Sequence, residues 1–74
     1  MFRVDDKNSI FRVLSKYYGM RSAVTRKRVE SILSYLNADK FDRKNLVVEN
    51  GRLAYISLLW NGYKTVYEVS VYEL

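Results

Sequence analysis

The 74 residues of the chain include no cysteine, no histidine and no proline. Without cysteine there is neither a disulfide framework nor a zinc site of the cysteine type, which is usual for proteins of a reducing compartment. Without histidine the chain lacks the commonest metal ligand and the usual general base near neutral pH. The missing residue types therefore argue against an enzyme, and we predict that the chain binds no metal and no other cofactor.

Long apolar runs are missing as well. No stretch approaches the roughly 20 apolar residues that a membrane-spanning helix needs. The N-terminus carries Arg3, Asp5 and Asp6 where a signal peptide would have an apolar core. We therefore expect a protein of the cytoplasm, or of a host cell's cytoplasm, that does not contact membranes. With no Pro-rich or low-complexity segment to mark a boundary, residues 1–74 are predicted to form a single domain.

Potential catalytic groups are few. Asp39 and Asp42 form a possible pair, but lysine and arginine residues stand beside them, which fits neutralisation at the surface better than acid–base chemistry. Ser31 and Ser34 have no histidine to activate them. The chain thus offers no set of a nucleophile and a base, and we predict a binding protein.

The charge of the chain is distributed unevenly. Residues 1–44 contain 11 Lys and Arg against 5 Asp and Glu, whereas residues 45–74 contain 2 against 3. A basic half beside a nearly neutral half is typical of a protein with a polyanionic partner, and nucleic acid is the commonest such partner. The alternative is that a positive surface only keeps a small protein in solution.

The last thirty residues predict a three-stranded antiparallel meander. Asn50-Gly51 and Asn61-Gly62 each lie between apolar runs, and Asn-Gly is the strongest short hairpin signal because both residues tolerate positive φ. The first turn would place Val47 opposite Ala54 and Glu49 opposite Arg52. A two-residue second turn would place Trp60 opposite Tyr63, Ile56 opposite Tyr67, and Ala54 opposite Val69.

The two faces of this predicted meander differ. One is apolar almost throughout, and its Ile56, Trp60, Tyr63 and Tyr67 are predicted to form the core under the helices. The other face mixes apolar residues with Ser57, and we predict that it is a dimer or partner interface. The apolar residues of this interface are Leu46, Val48, Leu53, Tyr55, Leu59 and Val66.

Two helices are predicted before the meander. The first covers residues 8–18, where apolar residues recur at helical spacing and Gly19 follows as a left-handed C-terminal residue. The second covers residues 22–36, with Ser22 or Thr25 as its cap. Residues 1–4 are either an edge strand or a frayed terminus, and residues 37–44 are predicted to be a surface loop anchored by Phe41. The predicted fold class is therefore α+β, with a helix-turn-helix-like hairpin packed on the meander.

Basic residues cluster around the start of the second helix, where positive charge opposes the helix dipole. Such a position suits a phosphate site, because a helix start also presents unpaired N–H groups. The alternative is a solvated basic face that is salt-bridged to Glu30 or to other acids. The predicted nucleic-acid contacts are Arg21, Thr25, Arg26, Lys27 and Arg28, with a second cluster of Lys40, Arg43 and Lys44.

The order of a helix-turn-helix followed by hairpins, over residues 8–74, resembles the winged-helix family in outline, with one helix fewer and without a specific motif. The resemblance implies that the second helix enters the major groove of DNA, and that Arg52 and Lys64, near the hairpin turns, touch the adjacent backbone.

Three functions follow in order of preference. The first is a duplex-DNA-binding regulator of transcription or an accessory protein, which docks its second helix. The second is a protein-interaction module, of the kind that small viruses and mobile elements use to block a host factor, which acts through the mixed sheet face. The third is an RNA-binding domain in which the sheet tyrosines Tyr55, Tyr63, Tyr67 and Tyr72 stack on bases.

Overall fold

The computed structural model describes residues 1–36 and 46–74. Two helices precede the β-hairpins, so the predicted α+β class is confirmed. The predicted surface loop, with Lys40, Phe41, Arg43 and Lys44, lies outside the described residues. The elements are β1 (Phe2–Val4), α1 (Lys7–Tyr18), α2 (Ala23–Tyr35), β2 (Leu46–Glu49), β3 (Arg52–Trp60) and β4 (Thr65–Glu73).

The sheet has four strands in the order β1-β4-β3-β2, so the prediction of three strands was wrong. The additional strand is β1, which pairs antiparallel with β4 and places Phe2 opposite Val69. The Phe2 ring also stacks on Tyr17 of α1, with the ring centroids 5.1 Å apart. Pairing along β4 and packing on α1 together hold this short strand in place, so that it does not fray.

The first hairpin forms as predicted. Asn50 and Gly51 both have positive φ, at 54° and 68°, which is the requirement of a type I′ turn. Val47 lies opposite Ala54, and Glu49 lies opposite Arg52. The turn is also tied to α1, because the Asn50 side-chain amide donates a hydrogen bond to the Tyr18 carbonyl at 3.2 Å.

The second hairpin has a longer connection than predicted. Four residues, 61–64, separate β3 from β4, so Trp60 lies opposite Thr65 and Ile56 lies opposite Val69. The Asn61 side-chain oxygen accepts hydrogen bonds from the backbone N–H groups of Tyr63 and Lys64, at 2.9 and 2.8 Å. Asparagine side chains commonly make such turns of their own, in competition with the type I′ conformation.

The longer connection changes which aromatic residues are buried. The register moves by two residues, which leaves every side chain on its predicted face but shifts the partners along the strand. Tyr63 consequently lies in the turn and is 84% exposed, and Trp60, at the end of β3, is 61% exposed. Both were predicted to be core residues, and for both the prediction was wrong.

Local capping groups set the helix ends close to the predicted positions. Asp6 caps α1 by accepting a hydrogen bond from the Ser9 N–H at 2.9 Å, and Gly19 ends the helix with a φ of 66°. Ser22 caps α2, because its hydroxyl oxygen accepts from the Thr25 N–H at 3.1 Å. The connection between the helices is therefore short, and it brings the end of α1 close to the start of α2.

The core lies between the two helices and one face of the sheet. Its fully buried large side chains are Ile10, Leu14, Val29, Val47, Ile56 and Val69. Both helices cover the same side, so the opposite face of the sheet, called the outer face below, has no helix on it in the part of the chain that the structure describes. The basic helical layer and the outer face are thus on opposite sides of the protein. Val66 was predicted to belong to an interface on this outer face but is only 6% exposed, so for Val66 the prediction was wrong.

Candidate nucleic-acid interface

The helical layer carries most of the positive charge of the described residues. Residues 7–36 contain seven Lys and Arg against one acidic residue, Glu30. The salt bridges among the described residues join Arg3 to Glu68, Arg52 to Glu73 and Lys64 to Asp5, and none includes a cation of α1, of α2 or of their connection. The cations of this layer, all exposed, are Lys7, Arg12, Lys16, Arg21, Arg26, Lys27 and Arg28.

Most of the surface of α2 is open to a ligand. Only Thr25, Val29 and Ile32 are buried, which is a narrow stripe on one side of the helix. Val24, on an exposed side, has 78% of its surface accessible. A helix that uses so little of its surface for packing has room to contact a second molecule.

A groove of about 710 Å³ lies between α1 and the start of α2. Arg12 lines it from α1, and Arg21 and Arg26 line it from the other side. Ser15 and Ser22 line it too, with their hydroxyl groups bonded to the Arg12 carbonyl and to Glu49, and none of the described residues that line the groove is acidic. Three guanidinium groups around one concave surface suit a phosphodiester, because guanidinium binds phosphate oxygens through pairs of N–H groups.

The position of Arg26 is supported by an aromatic ring. Its guanidinium carbon lies 4.3 Å from the centroid of the Phe11 ring, which is half-buried on α1. This cation–π contact attracts the guanidinium group to the face of the ring. Arg26 is therefore oriented in the groove before a ligand arrives.

Glu49 occupies the anion position at the start of α2. Its carboxylate accepts hydrogen bonds from the backbone N–H groups of Arg21 and Ser22, at 3.0 and 3.1 Å, and from the Ser22 hydroxyl at 2.8 Å. The sequence had suggested that phosphate would bind to unpaired N–H groups at this place. The carboxylate of Glu49 therefore takes the place that the sequence had suggested for phosphate, and the exposed side chains of Arg21 and Arg26 lie beside it.

The partner of Glu49 also differs from the expected one. Glu49 lies opposite Arg52 in the sheet, as predicted, but the two do not form an ion pair. Arg52 instead binds the Glu73 carboxylate and the Tyr18 carbonyl, both at 3.1 Å. The carboxylate of Glu49 is thereby available to join β2 to the start of α2.

Hydrogen bonding lowers the pKa of Glu49. The largest contribution comes from the Thr25 hydroxyl, and the Ser22 hydroxyl and the N–H groups of Ser22 and Arg21 add to it, against an opposing effect of burial. A carboxyl group with a lowered pKa stabilises the folded state above its ordinary pKa of 4.5. That stabilisation is lost as the pH falls through the lowered value.

We therefore expect Glu49→Gln to be less stable than the wild type at neutral pH and to lose less stability on acidification. Urea denaturation midpoints, measured from neutral pH to below the pKa of Glu49, test this. Glu30→Gln, which removes a carboxylate from an exposed position of α2, is the control and should follow the wild type. If the wild type and Glu49→Gln lost the same amount of stability between neutral and acidic pH, the result would contradict the stabilising role of the Glu49 carboxylate.

The structure separates the residues that the sequence had grouped together. Arg21 and Arg26 line the groove, whereas Lys27 is exposed elsewhere on α2. Arg28 donates from Nε to the Leu46 carbonyl at 3.3 Å, so it also joins α2 to β2. Thr25 also lines the groove, but only 4% of its surface is exposed, and its hydroxyl group contributes to the lowered pKa of Glu49. The predicted contacts Lys40, Arg43 and Lys44 lie outside the described residues.

One of the three groove arginines was not among the predicted contacts. Arg12 lies on the polar side of α1, and the sequence does not distinguish it from Lys16, which lies four residues later on the same side. Only Arg12 lines the groove, because the chain reversal after α1 brings the start of α2 beside it. The connection between the helices is short, and this feature of the sequence could have predicted that the start of α2 lies close to α1.

The two residues expected to act as in a winged helix lie far apart. Arg52 is near the start of α2, whereas Lys64 follows Trp60 at the other end of β3 and binds Asp5 at 2.8 Å. The eight residue-to-residue steps along β3 from Arg52 to Trp60 correspond to about 26 Å. Of the two hairpins, the one with the Asn50-Gly51 turn lies beside the start of α2, and the one that carries Lys64 does not.

Comparison of the chain with protein-family models, with curated protein sequences and with solved structures returned no match. Within residues 1–36 and 46–74, neither helix combines the length and the apolar character needed to cross a membrane. The function must accordingly be inferred from the charge, the groove and the exposed surfaces described above.

Proposed function

We propose that this protein binds nucleic acid through its helical layer, and that its ligand is duplex DNA. The observation that carries the proposal is the groove between α1 and α2, which three arginines line and which, within residues 1–36 and 46–74, has no acidic residue in its lining. We infer a cytoplasmic binding protein, a regulator of transcription or an accessory protein, and not an enzyme. Neutralisation of backbone phosphates supplies most of the affinity of such proteins.

The arginines and α2 have different roles in this proposal. Arg12 and Arg21 hold a backbone phosphate in the groove, and Arg26, stacked on Phe11, contacts the same phosphate or the next one. With the backbone held at this point, α2 enters the major groove from its N-terminal end. Lys27, exposed on α2, is then close to base edges or to the opposite backbone.

Duplex DNA is favoured over single strands and RNA because of where the tyrosines lie. Single-strand binding combines phosphate contacts with rings that stack on bases along the same surface. Tyr55 and Tyr72 are on the outer face, away from the groove, and Tyr67 packs against the core. Phosphate contacts in the groove and base stacking on these sheet tyrosines would therefore fall on opposite sides of the protein, which a single strand cannot easily bridge.

We expect a labelled short duplex to bind with higher affinity than the matching single-stranded DNA or RNA. Fluorescence anisotropy, with each unlabelled nucleic acid as competitor at the same salt concentration, measures this preference. Stronger competition by single-stranded DNA or by RNA than by duplex would contradict the assignment to duplex DNA. Absence of binding to all three would contradict the proposed function altogether.

The second candidate function is a protein-interaction module, of the type that viruses and mobile elements direct against a host factor. It is supported by the outer face, where apolar side chains remain exposed on a sheet without a helical cover. In this case the free protein stays monomeric until it meets its target.

A further inference from the structure

Three consecutive cations of α2 point in three directions. Arg26 lies on the groove side, and Arg28 is bonded to β2 on the other side. Because successive residues of a helix are about 100° apart around its axis, Lys27 lies between these two directions. It is also two residues from both Thr25 and Val29, which are buried. Lys27 is therefore on the side of α2 opposite the core.

We call this side of α2 the outward face. Helical spacing places on it the exposed residues three, four and seven positions after Lys27, which are Glu30, Ser31 and Ser34. The Ser34 hydroxyl donates to the Ser31 carbonyl at 2.6 Å, so this side chain is folded back onto the helix. With short side chains at two of its four positions, the outward face allows the helix backbone to come close to the floor of a DNA groove.

Glu30 is the one acidic residue among residues 7–36. It follows Lys27 by three residues and Arg26 by four, which are the spacings at which opposite charges on a helix pair. Within residues 1–36 and 46–74, however, it forms a salt bridge with neither of them. A carboxylate in the middle of a cationic layer repels phosphates. Glu30 therefore lowers the general affinity for DNA, and it can favour binding only where a ligand offers it a hydrogen-bond donor.

We propose that Lys27 and Glu30 read base pairs in the major groove, and this step rests on the proposed function. With a backbone phosphate held on the groove side of α2, the outward face meets base edges. Base edges present the amino group of cytosine, from which a carboxylate accepts, and the O6 and N7 atoms of guanine, to which an ammonium group donates. Lys27 thus selects guanine, and Glu30 selects cytosine.

The spacing of the two side chains sets the length of the sequence that they read. Three residues of helix rise by about 4.5 Å, which is close to one base-pair step of about 3.4 Å. The target should therefore contain two adjacent G·C pairs. Where guanine or thymine replaces the cytosine, the carboxylate of Glu30 meets only acceptor atoms or a methyl group. Glu30 then opposes binding to the wrong sequence, which is a second source of specificity.

Selection of duplexes from a pool with a randomised centre, followed by anisotropy titrations at fixed salt, tests the proposal. We expect the wild type to enrich sequences with two adjacent G·C pairs. Replacing either pair by A·T should lower the affinity of the wild type at least about 5-fold. Lys27→Gln and Glu30→Gln should each lose this discrimination at one of the two pairs. Both side chains are exposed, so circular dichroism should show that both variants are folded.

The two variants should differ in their affinity for a duplex that lacks the selected pairs. Lys27→Gln removes a cation and should bind this duplex more weakly than the wild type does. Glu30→Gln removes a repulsive charge and should bind it about 3-fold more tightly. Glu68→Gln, which removes a carboxylate from the outer face, is the matched control. It changes the net charge equally and should leave the discrimination between the two duplexes as it is in the wild type.

Enrichment of no sequence by the wild type would overturn the proposal. An equal effect of Glu30→Gln on the selected duplex and on the duplex without the selected pairs would overturn it too, because Glu30 would then act only through its charge. In both cases salt-dependent binding to duplex DNA would leave the proposed function in place. Failure of the wild type to bind any duplex would instead refute the proposed function itself.

Discussion

Ile56→Ala is expected to destabilise the protein by about 2–5 kcal/mol, which is the usual loss for removing a large aliphatic side chain from a core. Ile56 is fully buried at the middle of β3, opposite Val69 and below the helices. A domain of this size has only a few kcal/mol of net stability. Much of the population should therefore be unfolded at room temperature, as judged by circular dichroism and by urea denaturation.

Trp60→Ala is the control for this prediction. Both residues were predicted from sequence to lie in the core, but Trp60 is 61% exposed at the end of the strand. Trp60→Ala should lower the free energy of unfolding by well under half of the amount by which Ile56→Ala lowers it. Ile56→Val, which removes one methyl group, should fall between the two variants at about 0.5–1.5 kcal/mol. Equal losses for Trp60→Ala and Ile56→Ala would contradict the observed position of the hairpin.

Replacing both Arg12 and Arg21 by glutamine is expected to weaken duplex binding by about 50-fold near 0.1 M salt. Each lost phosphate contact lowers the affinity by a factor, and this factor is larger at lower salt concentration. The slope of log affinity against log salt should fall by about 2. The fold should remain intact, since both side chains are exposed and Glu49 binds the backbone N–H of Arg21. Anisotropy titrations over a range of salt concentrations measure both quantities.

Lys7→Gln combined with Lys16→Gln is the matched control. It removes the same number of positive charges from α1, but neither lysine lines the groove. The control should reduce affinity much less than the double arginine variant does. Equal losses in the two variants would show that DNA is attracted by the overall charge, and would contradict a phosphate site in the groove.

The parts of the fold that sequence predicted well are those set by neighbouring residues. The Asn50-Gly51 turn formed because both residues adopt positive φ, and the helices began and ended near Asp6, Ser22 and Gly19 because caps act over three or four residues. Asn61 and Gly62 did not form the predicted two-residue turn, and the reason is also local. The Asn61 side chain bonds to the backbone ahead of it, so the same residue pair has two competing turn conformations.

The features that sequence did not predict depend on residues far apart in the chain. For residues 1–4 the sequence left an edge strand and a frayed terminus as alternatives, because no turn links β1 to its partner β4, which is more than sixty residues away. Glu49 reaches Ser22 across 27 residues, only after β2 has packed beside α2. The excess of positive charge was visible in the composition, but the groove that gathers Arg12, Arg21 and Arg26 required the packing of the two helices. Charge could be predicted from sequence, whereas the geometry of the site could not.

The most direct test of nucleic-acid binding through the helical layer is the salt dependence of duplex affinity for the wild-type protein. A ligand whose phosphates are neutralised by arginine and lysine releases counterions, so log affinity should fall linearly with log salt, with a slope of about −0.9 for each phosphate contacted. With three arginines in the groove, we expect a slope of about −3 or steeper. A duplex affinity that does not change with salt, or no measurable binding at low salt, would contradict the assignment of the helical layer to nucleic acid.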